Sequence, residues 1–221
     1  MCFSASASFA ASGLTSIAGV AAVTGARQPA HRLLAGMPLF FALQQLAEGV
    51  LWLASTGRMA AAWQGPATFG FLVAARVLWP AWVPLMVRAV EEDPGRRRAL
   101  SVLLVLGVLE SVLSGYALAA FPVTADIVGH HVRYGIEAPA LFRVPVDALY
   151  YVVTVPPLML SGHRMLRVIG VVMVAALFLS KLLYHEYFVS TWCFFAALIS
   201  VLVVMMVLRP DAARAEAVPA A

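Results

Sequence analysis

The chain has 221 residues, of which 62% are hydrophobic and only 12% are charged. Soluble domains carry charge on about a quarter of their residues, so this composition excludes an ordinary soluble protein and indicates an integral membrane protein. The net charge of +4 alone would suit a nucleic-acid partner. The arginines lie where membrane topology explains them, however, so we expect no such partner.

Seven apolar stretches are each long enough to cross a bilayer, which takes about 20 residues per helix. They predict an all-α bundle of seven transmembrane helices within residues 1–208, surrounded by the lipid bilayer. A disordered cytoplasmic tail is expected at 209–221. The predicted spans lie near 3–24, 33–55, 66–88, 99–121, 141–160, 166–186 and 188–208.

The arginines that follow or join these spans predict their orientation. Ten arginines follow the first, third, fifth and seventh spans, and the alternate connections carry only Arg58 and Arg133. Positive residues stay on the cytoplasmic side, so the N-terminus is expected outside and the C-terminus in the cytoplasm. The start of the chain lacks the positive region of a cleaved signal peptide. The Ala-, Val- and Arg-rich composition suits a bacterial cytoplasmic membrane.

The first two spans carry polar faces. In the first span, serine recurs every four residues on one face, at Ser4, Ser8, Ser12 and Ser16. That face predicts close helix packing, with a hydroxyl-lined channel wall as the alternative. In the second span, Gln44, Glu48 and Trp52 form one polar stripe because they are four residues apart, and Gln45 lies beside it.

The third and fourth spans each place a charge near the middle of the bilayer. Arg76 and Glu110 lie within about two residues of the middle of their spans. Consecutive helices are usually neighbours, so we predict a buried Arg76–Glu110 ion pair that acts as a midplane gate or as a structural pair. Pro80 cannot donate to the carbonyl of Arg76, so a helix kink is predicted at the same place.

The fifth and sixth spans add charges nearer the outer face. Asp147 and Lys181, like Glu48, lie about three to six residues outward of their midpoints, roughly 5–9 Å from the midplane. Aromatic and imidazole side chains are expected beside them, at Tyr151, Tyr184 and His185. The connection at 122–140 is predicted to be an external loop.

The five charged residues on five successive apolar runs form the candidate site. A charge near the bilayer centre costs roughly 2.5–3.5 kcal/mol, so it is kept for a function or for pairing. We predict a multi-pass membrane protein that binds or translocates a small polar solute or ion through an outward-facing pocket, with proton coupling through Glu48 or Asp147. The alternative is a set of ion pairs that only fix helix register. The residues expected to bind the solute are Glu48, Asp147, Lys181, Gln45, Tyr151 and Tyr184.

Two cysteines support a second hypothesis, a membrane-embedded enzyme, so the question of an enzymatic activity stays open. Removal of Met1 would expose the amine and thiol of Cys2 as a nucleophile or chelating pair, with His185 or Glu48 as the activating residue. Cys2 and Cys193 could instead form a disulfide or remain inert buried thiols. Cys2, His185 and Cys193 are also candidate ligands of a transition metal. No CxxC or HExxH motif supports a metal site, so no cofactor is predicted. A homo-oligomer also stays open.

Three motifs resemble a known family. They are Met-Cys-Phe-Ser-Ala at 1–5, Gln-Gln-Leu-Ala-Glu-Gly-Val-Leu-Trp at 44–52 and Trp-Pro-Ala-Trp-Val-Pro at 79–84. The family is an uncharacterised one of bacterial multi-pass membrane proteins that begin with the first motif. The resemblance implies a membrane fold and location but no activity. It draws attention to Cys2, Gln45, Glu48 and Trp79, which lie inside the motifs.

Overall fold

The computed structural model of the protein describes residues 4–183, 200 and 202–208. The described part is mostly helical and contains one β-hairpin. Its helices are α1 (Ala5–Gly25), α2 (Pro29–Ala35), α3 (Met37–Ser55), α4 (Gln64–Leu72), α5 (Trp79–Val90), α6 (Pro94–Ala120), α7 (Ala140–Thr154), α8 (Pro156–Leu160) and α9 (Arg164–Leu183). A 3₁₀ turn (Ala61–Trp63) precedes α4, and a π-helical turn (Val73–Leu78) joins α4 to α5. Residues 202–208 are also helical.

Four helical stretches are long and apolar enough to cross a membrane, as expected of a membrane protein. They are Ala5–Gly25, Pro29–Ser55, Ala61–Val90 and Pro94–Ala120, and they coincide with the first four predicted spans. The fifth predicted span, 141–160, is divided into α7 and α8. The sixth, 166–186, lies on α9 as far as that helix is described. The seventh, 188–208, falls outside the described residues except for 200 and 202–208.

The ends of several helices follow from residues that favour a helix start. Proline occupies the first position of α2, α6 and α8, where its missing N–H costs no helical hydrogen bond. Asp93 also caps α6, because its Oδ1 accepts from the N–H of Arg96 at 2.7 Å. Ser4 caps α1 in the same way, accepting from the N–H of Ala7 at 3.2 Å.

The serine face of α1 packs against α3. Ser8 and Ser12 are buried, and the hydroxyl of Ser12 donates to the carbonyl of Ala42 at 2.8 Å. Gly49 of α3 lies so near Phe9 that an added Cβ would come within 2.7 Å of the ring. The small side chain of Ser12 and the absence of one at Gly49 let the two helices pack closely, which is how membrane helices commonly associate.

The expected loop at 122–140 contains a β-hairpin, so the all-α prediction is wrong at this point. Strand β1 (Val123–Val128) pairs antiparallel with β2 (His131–Ile136), with Val123 opposite Ile136. Gly129 adopts a φ of +61° in the two-residue connection, a conformation that glycine adopts at little cost. The hairpin docks on the bundle through buried Ala125 and Val132, which pack in one cluster with Leu51 and Trp52.

The bundle has two ends with different chemistry. The hairpin end comprises the connection at 56–63, the start of α4 and the β1–β2 hairpin. Nε2 of Gln64, the first residue of α4, donates to the carbonyl of Ala125 at 3.3 Å. The turn end comprises the short connections at 26–28, 91–93 and 161–163. There Glu91 accepts from the N–H of Gly162 at 2.6 Å, and His163 Nε2 donates to the carbonyl of Val90 at 2.9 Å.

Gly107→Ala tests the contact between α5 and α6. A Cβ at Gly107 would meet the carbonyl oxygen of Pro80, and overpacking of this kind costs about 1–3 kcal/mol. We expect a lower melting temperature in detergent. Gly70→Ala is the matched control, since nothing lies within 4 Å of its added Cβ and alanine is the better helix former. Equal melting temperatures for the two variants would contradict the close contact.

The hairpin should lose stability in mild acid. Burial lowers the pKa of His131 from its ordinary value, and neighbouring His130 lowers it further. The unfolded hairpin therefore binds a proton more readily than the folded one, so stability falls as the pH drops below about 6.5 toward the lowered pKa. Hydrogen–deuterium exchange of the β1–β2 amides should accelerate there. His131→Gln should remove this pH dependence and His163→Gln should retain it; a dependence that survives His131→Gln refutes the assignment.

Candidate functional site

Arg76 lies on the π-helical turn between α4 and α5. Pro80 has no N–H to donate to the carbonyl of Arg76, so a regular α-helix cannot continue through this point. The chain forms a π turn instead, in which the N–H of Trp79 donates to the carbonyl of Ala74, five residues back. Such turns are rare and are frequent at functional sites. The predicted break is therefore present, and it carries the charged side chain.

Asp147 of α7 provides the counter-charge of Arg76. Nη2 of Arg76 lies 2.5 Å from Oδ1 of Asp147, in a charge-assisted hydrogen bond. The ring of Tyr150, one turn further along α7, faces the same guanidinium, with 4.9 Å between Cζ and the ring centroid. The exposed fraction is 40% for the side chain of Asp147 and 18% for that of Arg76. The pair thus faces an opening on the aspartate side and is enclosed on the arginine side.

Glu110 of α6 lies near this ion pair but takes no part in it. Its side chain is fully buried, and its Oε1 accepts from the hydroxyl of Ser114 at 2.7 Å. It interacts electrostatically with Arg76 without forming an ion pair. The expected Arg76–Glu110 ion pair is therefore corrected to Arg76–Asp147. The reason is that α7 packs against both α5 and α6, a contact that the order of the spans does not reveal.

A cavity of about 190 Å³ adjoins the ion pair on the side of the hairpin end, and we call it the Arg76 cavity. Its polar lining consists of Arg76, Ser114, Arg143 and Asp147. Its apolar lining includes Leu72, Phe142 and Val146, and its roof is formed by Tyr134, Gly135 and Ile136 of β2. The cavity therefore lies between the helices and the hairpin.

The roof is attached to the helices by an aromatic stack. The ring of Tyr134 lies on that of Phe71 of α4, with centroids 4.4 Å apart and planes 4° from parallel. Phe71 itself is fully buried. The outer face of the hairpin carries an exposed ion pair between Asp126 and Arg133, 3.6 Å apart. The hairpin thus presents an aromatic face to the bundle and charges away from it.

Sequence reasoning missed three parts of this cavity: Ser114, Arg143 and the hairpin roof. Arg143 lies one helical turn before Asp147 on α7, so the four-residue spacing was a usable signal. Ser114 lies one helical turn after Glu110 on α6. The roof had its own signal in the alternating apolar and polar residues of β1. These signals do not predict a cavity by themselves, because the cavity lies between the helices and the hairpin that covers them.

Three of the predicted solute-binding residues do not line the Arg76 cavity. Glu48 and Gln45 are buried on α3, where Nε2 of Gln45 donates to Oε2 of Glu48 at 3.3 Å. Tyr151 packs edge-on against Tyr150, with ring centroids 5.8 Å apart. Of the predicted site residues, the structure therefore brings together Arg76, Asp147 and Glu110.

The remaining predicted residues lie outside what the structure describes. Cys2, Tyr184, His185 and Cys193 are not among the described residues, and Lys181 is described only as part of the backbone of α9. The cysteine hypotheses and the solute-binding role of Lys181 stay predictions. Among the described residues, no group of three or more His, Cys, Asp or Glu side chains could hold a metal ion.

Residues 1–218 match a family of unknown function, DUF6629. No curated protein and no solved structure matches the chain. The family match agrees with the resemblance to an uncharacterised family. The family match assigns neither an activity nor a ligand to the chain, so its function has to be inferred from the residues that line the cavity.

Asp147→Asn should destabilise the protein by leaving the guanidinium of Arg76 without its counter-charge. Breaking a buried pair costs about 3–5 kcal/mol, and because Asp147 is partly exposed we expect about 1–3 kcal/mol, measured as a lower melting temperature. The double variant Arg76→Gln/Asp147→Asn should recover most of the loss. Asp126→Asn, which breaks the exposed pair with Arg133, should cost less than about 1 kcal/mol. Additive losses in the double variant would refute the coupling.

Proposed function

We propose a function for this chain, which belongs to a family of unknown function, DUF6629. The basis of the proposal is the set of residues that line the Arg76 cavity. The protein binds a small polar solute or ion in that cavity and moves it across the membrane. The cavity opens toward the side of the membrane that the hairpin end faces. The Arg76–Asp147 pair forms its floor and acts as the gate, in place of the Arg76–Glu110 pair expected from the sequence.

The proposed membrane arrangement has seven spans with the hairpin end outside. In it, α7 and α8 form a broken fifth span, α9 the sixth and 188–208 the seventh. The distribution of arginines supports this orientation, since positive residues stay on the cytoplasmic side. The hairpin end carries Arg58, Arg133 and Arg143. The turn end carries Arg27, Arg32, Arg88, Arg96, Arg97, Arg98, Arg164 and Arg167.

The observation that carries the proposal is an ion pair at the floor of a cavity. An ion pair that only joined helices could often be replaced by apolar side chains of similar volume without loss of stability. Here Asp147 faces an open volume together with two further polar groups, Ser114 and Arg143. Charges retained at membrane depth commonly mark a solute or ion path, and a charged wall on an open cavity fits that role.

Translocation requires helices that can change their contacts near the gate. The stretch beside it contains the π turn, Pro80 and Pro84, and α7 gives way to α8 at Pro156. Interrupted helices of this kind line the solute sites of many transporters. Ser114 lines the cavity and also donates to buried Glu110. We propose that the solute leaves the cavity past Ser114 when the gate opens.

The function is tested by recording solute-induced currents from the full chain reconstituted into liposomes on a solid-supported membrane. Small carboxylates, amines, amino acids, phosphate and alkali cations are applied in turn. At least one solute should give a saturable current that Asp147→Asn abolishes. Asp126→Asn, on the outer face of the hairpin, should retain that current, because Asp126 does not line the Arg76 cavity.

Circular dichroism and a melting curve of Asp147→Asn must show a folded protein at the temperature of the recording. The proposal fails if no solute gives a current above that of protein-free liposomes and none is taken up in radiolabelled form above that background. It fails equally if folded Asp147→Asn carries the same current as the unsubstituted protein.

A further inference from the structure

We propose that the Arg76 cavity takes a small monocarboxylate. Its carboxylate binds the guanidinium groups of Arg143 and Arg76, and its apolar body lies against Leu72, Phe142 and Val146. The inference rests on the proposed function and deepens it, since it names the chemical class of the solute.

The charge of the ligand follows from the charges that line the cavity. Two arginines and one aspartate are its charged lining residues, and arginine stays protonated in proteins. The carboxylate of Asp147 is engaged by Arg76, whereas Arg143 takes part in neither of the ion pairs formed among the described residues. Glu110 adds no acidic surface, because it is fully buried and does not line the cavity. An entering ligand therefore meets one unbalanced positive charge, which selects a monoanion.

The size of the ligand follows from the volume of the cavity. Its volume of about 190 Å³ lies below the roughly 300 Å³ at which sites for drug-sized ligands begin. A four-carbon acid such as butyrate fits this space, whereas a nucleotide, a sugar phosphate or a long-chain fatty acid does not.

The apolar lining separates a carboxylate with a hydrocarbon body from an inorganic anion. A guanidinium can donate two parallel N–H bonds to the two oxygens of a carboxylate. Phe142 and Val146 flank Arg143 on α7, so a short alkyl chain attached to that carboxylate has apolar surface to cover. A phosphate or sulfate ion would leave the same surface in contact with water, and its second charge would have no partner.

The inference is tested by isothermal titration calorimetry of the full chain in lipid nanodiscs, with butyrate as the probe. Butyramide and butylammonium have nearly the same shape and differ in charge. Butyrate should bind saturably, and about tenfold or more tightly than either analogue, because a charge-assisted hydrogen bond is worth at least that factor. Arg143→Gln should weaken butyrate binding by about tenfold or more. Arg58→Gln, an exposed arginine at the same end of the bundle, should leave it unchanged.

A second measurement identifies the place of binding. Phenylglyoxal modifies accessible arginines, and mass spectrometry reports each position. Butyrate should slow the modification of Arg143 and leave that of Arg58 unaltered. Decanoate, which exceeds the volume of the cavity, should protect Arg143 less well than butyrate does.

Several results would overturn the inference. They are the absence of saturable butyrate binding, equal binding of butyramide or butylammonium, tighter binding of inorganic phosphate, and butyrate binding that Arg143→Gln does not weaken. Butylammonium binding that is lost in Asp147→Asn would overturn the monocarboxylate and leave the proposed function standing. The proposed function itself is refuted only by the liposome experiment. The refuting results are no response to any solute, or a folded Asp147→Asn variant that responds like the unsubstituted protein.

Discussion

A guanidinium within a long apolar stretch needs a counter-charge, and the site is organised by the way Arg76 obtains one. Pro80 forces the helix to open into a π turn at Arg76. Asp147 supplies the charge and Tyr150 the face of an aromatic ring, both from one side of α7. Gly107 allows α6 to approach the broken segment closely. The π turn and α7 therefore meet at Arg76, and α6 packs beside them.

The hairpin converts this ion pair from an internal contact into the floor of a cavity. A connection that lies on a membrane bundle must still satisfy its backbone hydrogen bonds, and a two-stranded ladder does so within the segment itself. The stack of Tyr134 on Phe71 holds β2 over the helices. The volume left beneath it is small, polar on the side of α7 and apolar elsewhere. This small volume and mixed lining are the basis of the proposed compact anionic ligand.

Hydropathy was enough to predict the four helical stretches that are long and apolar enough to cross a membrane, because each is a long apolar run. It was also enough to select Arg76 and Asp147, since charges in such runs are costly. Their pairing was not predictable, because it depends on α7 packing against α5 and α6, a contact between distant parts of the chain. The hairpin could have been predicted from the alternation in Val-Thr-Ala-Asp-Ile-Val and the glycine that follows it. Arg143 could not be assigned to the site from the sequence, because the cavity that it lines is formed only where the hairpin covers α7.

The central claim is that the Arg76–Asp147 pair serves a solute and does more than hold helices together. The charge-exchanged variant Arg76→Asp/Asp147→Arg tests it most directly, because the exchange preserves an ion pair but inverts its direction relative to the cavity. Solute-induced current is the quantity to measure, with the melting temperature recorded on the same preparation. We predict that the melting temperature recovers above that of Asp147→Asn while the current stays absent. Recovery of the current together with the stability would contradict the account, because the pair would then serve only to hold the helices together.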